Sequence, residues 1–587
     1  MTFVAHRSLR HKLSPHLTAS LRAKSLKLFP FLRWRSLITG ETLRTDAIAG
    51  ITVALLAIPQ SLAYAQLAGV PAYYGLYAAL IPAAVGALFG SSSILSTGPV
   101  AMTSLLTAAS IAPLALTGSE QYVSLAILLA LLSGIFQVAF GLMRMGVLLN
   151  FLSYPVLMGF INAAAIIIGL SQLPALLGIP VSQSRHLLTD TWHVVVRIDS
   201  LHEISLAFGL IAILGLLAFK KYAPRMPGAL ITVAVLTLAS YFIGYEEMGG
   251  RVVGEIPTGL PSFATPPLDW HATIALLPAA FVIAVISFME AMSSCKVIAI
   301  KTRTAWDENQ ELIGQGLAKL AAAFSQSIPV SGSFSRSALN LSANAKTGIS
   351  SLVSAGFVLL TLLFFTSLLH DLPKPVLAAI IIVALINLVD YKSIVRSWRA
   401  RGDDGVAAMI TFVSTLAFAP NIQIGILAGI IVSLALLLYR LMRPRVAVLG
   451  MHPDGTLRDA EYFRLSALHP KLGAIRFDGS LVFVNVAYFE EAILKLERQN
   501  PDLECILVVG SGINGLDASG VEMLSNLVGR LHASGITLAF SGMKRQVLQV
   551  MERTELLQRI GNQNLFPTDQ LALDTLRAAL DSKQAAT

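Results

Sequence analysis

The stretch "IPVSGSFSRSALN", residues 328 to 340, decides how the rest of the chain is read. It lies in a long apolar region, yet it holds Pro329, Gly332, four serines and one arginine, Arg336. A polar, helix-breaking insert at membrane depth is tolerated only where protein or a polar cavity surrounds it. A second stretch, "SILSTGPVAMTSLL" at 93–106, carries Thr97, Gly98 and Pro99 at a corresponding place in the first half. In each, Pro and Gly precede a helix that must restart inside the apolar region. Such a start turns about half a positive elementary charge and unsatisfied N–H groups toward whatever lies ahead of it. Two starts facing each other, one from each half, make an anion site at the midplane of an inverted-repeat membrane protein.

Composition agrees with a membrane reading. Of 587 residues, 55 % are hydrophobic and 13 % charged, with a mean hydropathy of +0.69. That excludes a single soluble core and predicts a polytopic α-helical membrane protein. Apolar segments centre near residues 56, 82, 105, 132, 158, 212, 236, 285, 319, 339, 359, 382, 412 and 431, fourteen in all. Those near 105, 319 and 339 are weakly apolar.

Charge checks this count independently. Basic clusters at Arg144, Lys220/Lys221/Arg225, Lys296/Lys301/Arg303, Lys392/Arg396/Arg399/Arg401 and Arg440/Arg443/Arg445 all follow even-numbered segments. With a basic N-terminus inside, every even segment ends inside, as the positive-inside rule requires. Both termini are therefore expected in the cytoplasm. Seven segments per half place the two halves in opposite orientation.

Residues 1–45 carry nine Lys/Arg and a single acid, Glu41. Without an apolar core this is no cleavable signal peptide, and beside a membrane domain it reads as a cytoplasmic arm near anionic lipid rather than a nucleic-acid contact. The transport domain is expected over 46–441, a cytoplasmic α/β domain over 442–583, and a short tail at 584–587. In the α/β domain "GAIRFDGSLVFVNV", "ECILVVGSG" and "GITLAFSG" read as strands. Val521, Leu524, Val528 and Leu531 share one face of a helix, so a partly parallel sheet is expected. The two cysteines, Cys295 and Cys505, support neither a disulfide framework nor a thiolate metal site. No GxSxG, HExxH or P-loop stands out, and no enzyme, metal or cofactor is expected.

Several side chains near the broken segments carry chemistry. A central Arg costs about 2.5–3.5 kcal/mol on insertion scales, so Arg336 needs water, a counter-ion or a substrate. Glu290, in "AVISFMEAMSSCK", is the acid within its segment and the natural partner, either as a structural salt bridge or as the carrier of a coupling proton or cation. Gln60 and Tyr64 lie four apart in "AIPQSLAYAQLAG", hence on one helix face just after Pro59. Their amide and hydroxyl either donate to an oxyanion or bond between helices.

Taken together, "DAIAGITVALLAIPQSLAYAQLAGVPAYYGLYAALIP", "STGPVA", "PVSGSFSRSALN" and "LDASG" resemble the SulP (SLC26) anion-transporter family over about residues 44–583. The resemblance implies two inverted repeats of seven segments, a core subdomain moving as an elevator against a gate subdomain, a homodimer, and a C-terminal STAS domain. It implies that Gln60, Tyr64, Ser335 and Arg336 coordinate the anion and that the backbone at Val100–Ala101 and Phe334–Ser335 supplies helix-start N–H groups. Glu290 would couple its protonation to Arg336. Lys319 stands where many relatives have Asn, and Asn344 where Gly is frequent; Lys319 either faces the site or snorkels. In the STAS domain Ser519 occupies the place of a phosphorylated serine in bacterial STAS proteins, although Asp517 and Ser519 equally suit a helix cap. A docking or regulatory role toward a cytoplasmic protein is expected for this domain. The expected activity is import of a small oxyanion, sulfate first, coupled to protons. Sodium coupling, exchange, bicarbonate or C4-dicarboxylate substrates, a passive anion channel and a non-transporting scaffold are the alternatives.

Overall fold

The structure, a computed structural model, describes residues 29–146, 153–179, 187–223, 226–386, 389–419 and 422–586. The basic residues among the first 28 positions, Arg225 and the last residue of the 584–587 tail lie outside this set. The chain divides into two compact units, Met1–Ser433 and Leu434–Thr587.

Ahead of the C-terminal sheet the fourteen segments appear in order. They are α1 (Gly40–Leu67), the pair α2 (Tyr73–Ala78) and α3 (Ile81–Phe89), and the half-strand β1 (Ser96–Gly98) with α4 (Ala101–Ile111). Next come α5 (Glu120–Leu142), α6 (Tyr154–Ser171), α7 (Glu203–Tyr222) and α8 (Gly228–Ile243). The second half runs α9 (Trp270–Thr302), α10 (Glu308–Phe324), β2 (Ser331–Ser333) with α11 (Phe334–Ser342), α12 (Ile349–Phe364), α13 (Lys374–Leu385), α14 (Gly402–Ala417) and α15 (Ile422–Met442). Six described helices are long and apolar enough to cross a membrane, and five more, among them α4, α8, α12 and α13, are shorter apolar helices.

The packing shows the inversion. The fourth segment, α5, lies on α9 and α10; its counterpart in the other half, α12, lies on α1 and α3. Likewise α6 packs on α14 and α13 on α7. Each pair maps onto the other when the halves are exchanged.

Helices approach closely through small residues. A Cβ added at Gly316 of α10 would sit 2.7 Å from the Val138 backbone nitrogen of α5, and Gly134 faces Gly316 in return. Such small-residue contacts replace the hydrophobic drive that lipid cannot supply. Asn344 caps a turn at φ +60°, the left-handed region that Gly and Asn tolerate best.

The second unit is a six-stranded sheet in the order β4-β3-β5-β6-β7-β8, from β3 (Arg445–Met451), β4 (Leu457–Asp459), β5 (Leu472–Asp478), β6 (Cys505–Val509), β7 (Thr537–Ser541) and β8 (Leu565–Phe566). Neighbours from β5 to β8 are parallel, and β3 runs antiparallel to both of its neighbours. The expected strand 473–486 stops at Asp478; beyond it Asn485 Oδ1 accepts from Val482 N at 3.0 Å and turns the chain into α16 (Val486–Gln499). On the expected helix, α17 (Ala518–Ala533), Leu524 and Leu531 are buried, with Val521 and Val528 packed beside the same core. Asp517 is its N-cap, accepting from Gly520 N at 2.8 Å, while its other oxygen accepts from Phe483 N at 2.8 Å.

Two outcomes follow from this packing. Gly316→Val lowers the stability of the detergent-purified protein by about 1–3 kcal/mol through overpacking, read as an earlier thermal midpoint. Gly356→Val, with nothing within 4 Å of its Cβ, leaves the midpoint in place. Asp517→Ala removes a cap worth about 1 kcal/mol, so amide exchange at Phe483 and Gly520 quickens several-fold while Ser519→Ala leaves it unchanged.

Candidate functional site

The two broken segments meet. β1 and β2 pair antiparallel, with Ser96 opposite Ser333, Thr97 opposite Gly332 and Gly98 opposite Ser331, all buried. Small residues are needed here: a Cβ on Gly332 would sit 2.9 Å from the Ala291 Cβ, and one on Gly98 would sit 2.9 Å from Arg336 Nη2. Pro99 follows β1 at once and has no N–H to continue the ladder. Because the strands run oppositely, α4 and α11 leave the ladder in opposite directions and their N-termini converge on it. Further bonds lock the junction, from Ser96 N to Ser337 Oγ at 2.9 Å and from Ser331 Oγ to the Ser287 carbonyl at 2.7 Å.

Arg336 is the third residue of α11 and only 2 % exposed. Its Nη1 donates to the Pro99 carbonyl at 2.9 Å, which aims the guanidinium across the ladder at the start of α4. Its Nη2 is buried without a hydrogen-bond partner. A guanidinium held by one fork tip keeps the other for a planar or tetrahedral oxyanion. Val100 is the extended N-cap of α4, and Val100 and Ala101 are buried. At α11 the Ser333 side chain accepts from Arg336 N at 3.4 Å, and Phe334 and Ser335 are exposed.

Gln60 and Tyr64 are buried one turn apart on α1, which packs on both α4 and α11. Gln60 Oε1 is buried without a hydrogen-bond partner. Tyr64 lies in electrostatic reach of Arg336 and Glu290. Glu290 on α9 has a buried, unpartnered Oε2 and feels the charges of Arg336 and Lys319. Among the described residues no salt bridge joins it to Arg336, whose Nη1 is turned to Pro99 instead, so the two act on each other through space. Tyr64, Glu290 and Arg336 thus lie within electrostatic reach of one another.

One feature escaped the sequence reading. Glu311, Gln315 and Lys319 stand four apart on α10 and form a buried polar spine. Glu311 Oε2 accepts from Ser91 N at 2.8 Å and Ser92 N at 2.9 Å. Gln315 Nε2 donates to Thr97 Oγ1 of β1 at 2.9 Å and to Glu311 Oε1 at 3.0 Å. Lys319 does not snorkel: it is fully buried and bonded to Gln137 and Ser287. The signal was present, since one polar residue per turn lowers the apolar character of this segment.

In the second unit Ser519 is exposed in the first turn of α17, beside the capping Asp517. It borders a depression with Val486, Glu490 and Met523.

Comparison with known proteins adds identity to this geometry. Residues 43–411 match the sulfate permease family, and residues 467–572 match the STAS domain. A probable sulfate transporter of Arabidopsis thaliana is 35 % identical over 559 residues, covering 92 % of this chain and 82 % of its own length. A probable sulfate transporter of Mycobacterium tuberculosis is 31 % identical over 539 residues, with 91 % and 95 % covered. The inward-facing structure of the murine SLC26A9 anion transporter superposes with a TM-score of 0.88 at 21 % identity, covering 98 % of this chain and all of that one. With its paired broken segments, inverted halves and C-terminal sheet domain, the chain belongs to the sulfate permease (SulP, SLC26) family of multi-pass membrane transporters.

Proposed function

We propose that this chain imports a small oxyanion, sulfate first, by proton-coupled, elevator-type alternating access. The observation that carries the reading is Arg336, buried where two helix N-termini converge, with one guanidinium nitrogen free. The names of the similar plant and mycobacterial proteins support sulfate as the substrate. The anion would be coordinated by the Arg336 Nη2, the Gln60 amide, the Tyr64 and Ser335 hydroxyls, and N–H groups at Val100–Ala101 and Phe334–Ser335.

Uphill import requires coupling, which we assign to a proton. An inside-negative potential opposes entry by about 2.3 kcal/mol per charge per 100 mV, so a dianion meets about 4.6 kcal/mol before any gradient. Glu290 is placed to supply the link. Ionised, it draws on the field of Arg336 and weakens its hold on an anion; protonated, it releases that field to the substrate. The sign follows: uphill uptake rises as the outer solution is acidified. We place the chain in a plasma membrane as a homodimer with both termini in the cytoplasm, where the STAS domain serves docking or regulation.

Purified protein in liposomes with an acidic exterior should accumulate labelled sulfate, and an imposed sodium gradient should not replace the proton gradient. Accumulation of bicarbonate or fumarate in its place would reassign the substrate. Arg336→Ala should lower sulfate uptake by at least a hundredfold, an effect foreign to a scaffold. Glu290→Gln should lose accumulation yet keep sulfate–sulfate exchange, whereas a passive channel would show no proton-driven accumulation even in the wild type and would keep its flux in the variant.

A further inference from the structure

Lys319 lies fully buried at mid-helix on α10, and its ammonium donates to Gln137 Oε1 and Ser287 Oγ, each at 2.7 Å. Both partners are themselves fixed. Gln137 Nε2 donates to the Ala284 carbonyl at 2.9 Å and to Ser287 Oγ at 3.1 Å, which leaves its Oε1 facing the ammonium. Ser287 Oγ donates in turn to the Ala284 carbonyl at 3.3 Å. Both contacts at Nζ are oxygen acceptors to which an ammonium can donate. Among the described residues no salt bridge reaches Lys319. From α5 it faces the uncharged Gln137. From α9 the charge acting on it is Glu290, one turn beyond Ser287. On its own helix Glu311 lies two turns back, in the first turn of α10, and is occupied by Ser91, Ser92 and Gln315.

We propose that Lys319 is the second fixed positive charge of the anion carrier, and that it places the voltage dependence of transport in the return of the empty site. This rests on the proton-coupled sulfate reading above. Arg336 and Lys319 supply two positive charges. With a sulfate dianion bound and both Glu290 and the buried Glu311 protonated, the charges around the site sum to zero. With the site empty and Glu290 ionised, they sum to one positive charge. The loaded site then crosses the membrane field without electrical work, and the empty site carries the charge of the cycle. Removing the Lys319 charge reverses this: the loaded site becomes negative and the empty one neutral. At 100 mV one charge crossing the whole field shifts a two-position equilibrium by about 2.3 kcal/mol, or about fifty-fold.

The test is exchange of labelled for unlabelled sulfate in liposomes, with saturating sulfate and equal, acidic pH on both sides. The potential is set to zero or −100 mV by potassium and valinomycin. The wild-type protein and Lys319→Arg should exchange at the same rate at both potentials. Lys319→Gln, which retains a hydrogen-bonding side chain without the charge, should slow by more than about fivefold at −100 mV. Equal Lys319→Gln rates at both potentials, with only a lower thermal midpoint, would reduce Lys319 to a structural anchor and overturn the proposal. A wild-type rate that falls at −100 mV overturns it without any variant, so the test survives misfolding of Lys319→Gln. Absence of wild-type sulfate exchange would overturn the substrate reading and this proposal together. Voltage-sensitive wild-type exchange would overturn this proposal alone.

Discussion

The three-residue antiparallel ladder between Ser96–Gly98 and Ser331–Ser333 is the contact on which the site depends. It forms only between segments that enter from opposite directions, and an odd number of segments per half guarantees that. Small side chains let the strands approach, and Pro99 ends the pairing where α4 must begin. The ladder brings two helix starts together and gives Arg336 a carbonyl to lean on. A buried guanidinium with one donor still free is costly at this depth. Such a group is retained where water, a counter-ion or a substrate completes it.

The second dependence is on α10. Burying a polar group without a partner costs a few kcal/mol, so three on one helix require a matched acceptor or donor for each. Glu311 holds the chain entering the first broken segment, Gln315 holds Thr97 within it, and Lys319 reaches the helix that carries Glu290. One helix thus ties the helix that carries Glu290 to the ladder. Close packing through Gly134 and Gly316 keeps α10 in position, since small residues let the backbones touch.

Much of this was legible in the sequence because its signals are local or periodic. Apolar runs, basic clusters after even segments, and the Pro-Gly breaks all follow from single-residue chemistry. The identity of Arg336 and Glu290 as exceptional groups follows from charge in an apolar context. What was not legible depended on three-dimensional partners. The carbonyl that receives Arg336 belongs to Pro99, 237 positions away, and displaces the direct Glu290 pair that charge alone suggests. Whether Lys319 faced lipid or protein turned on Gln137 and Ser287, which lie on two other helices. In the C-terminal domain, apolar alternation in 480–486 mimics a strand, but the Asn485 side chain turns the chain before α16.

The central claim is that an oxyanion completes the donors at the ladder. Selenate, a sulfate isostere with strong anomalous scattering, tests it directly in crystals of the full-length protein. The account predicts one anomalous peak within hydrogen-bonding distance of Arg336 Nη2 and the N–H groups that open α4 and α11, absent in Arg336→Ala crystals. A selenate peak elsewhere in the membrane unit, or one at the ladder that persists without Arg336, would contradict it.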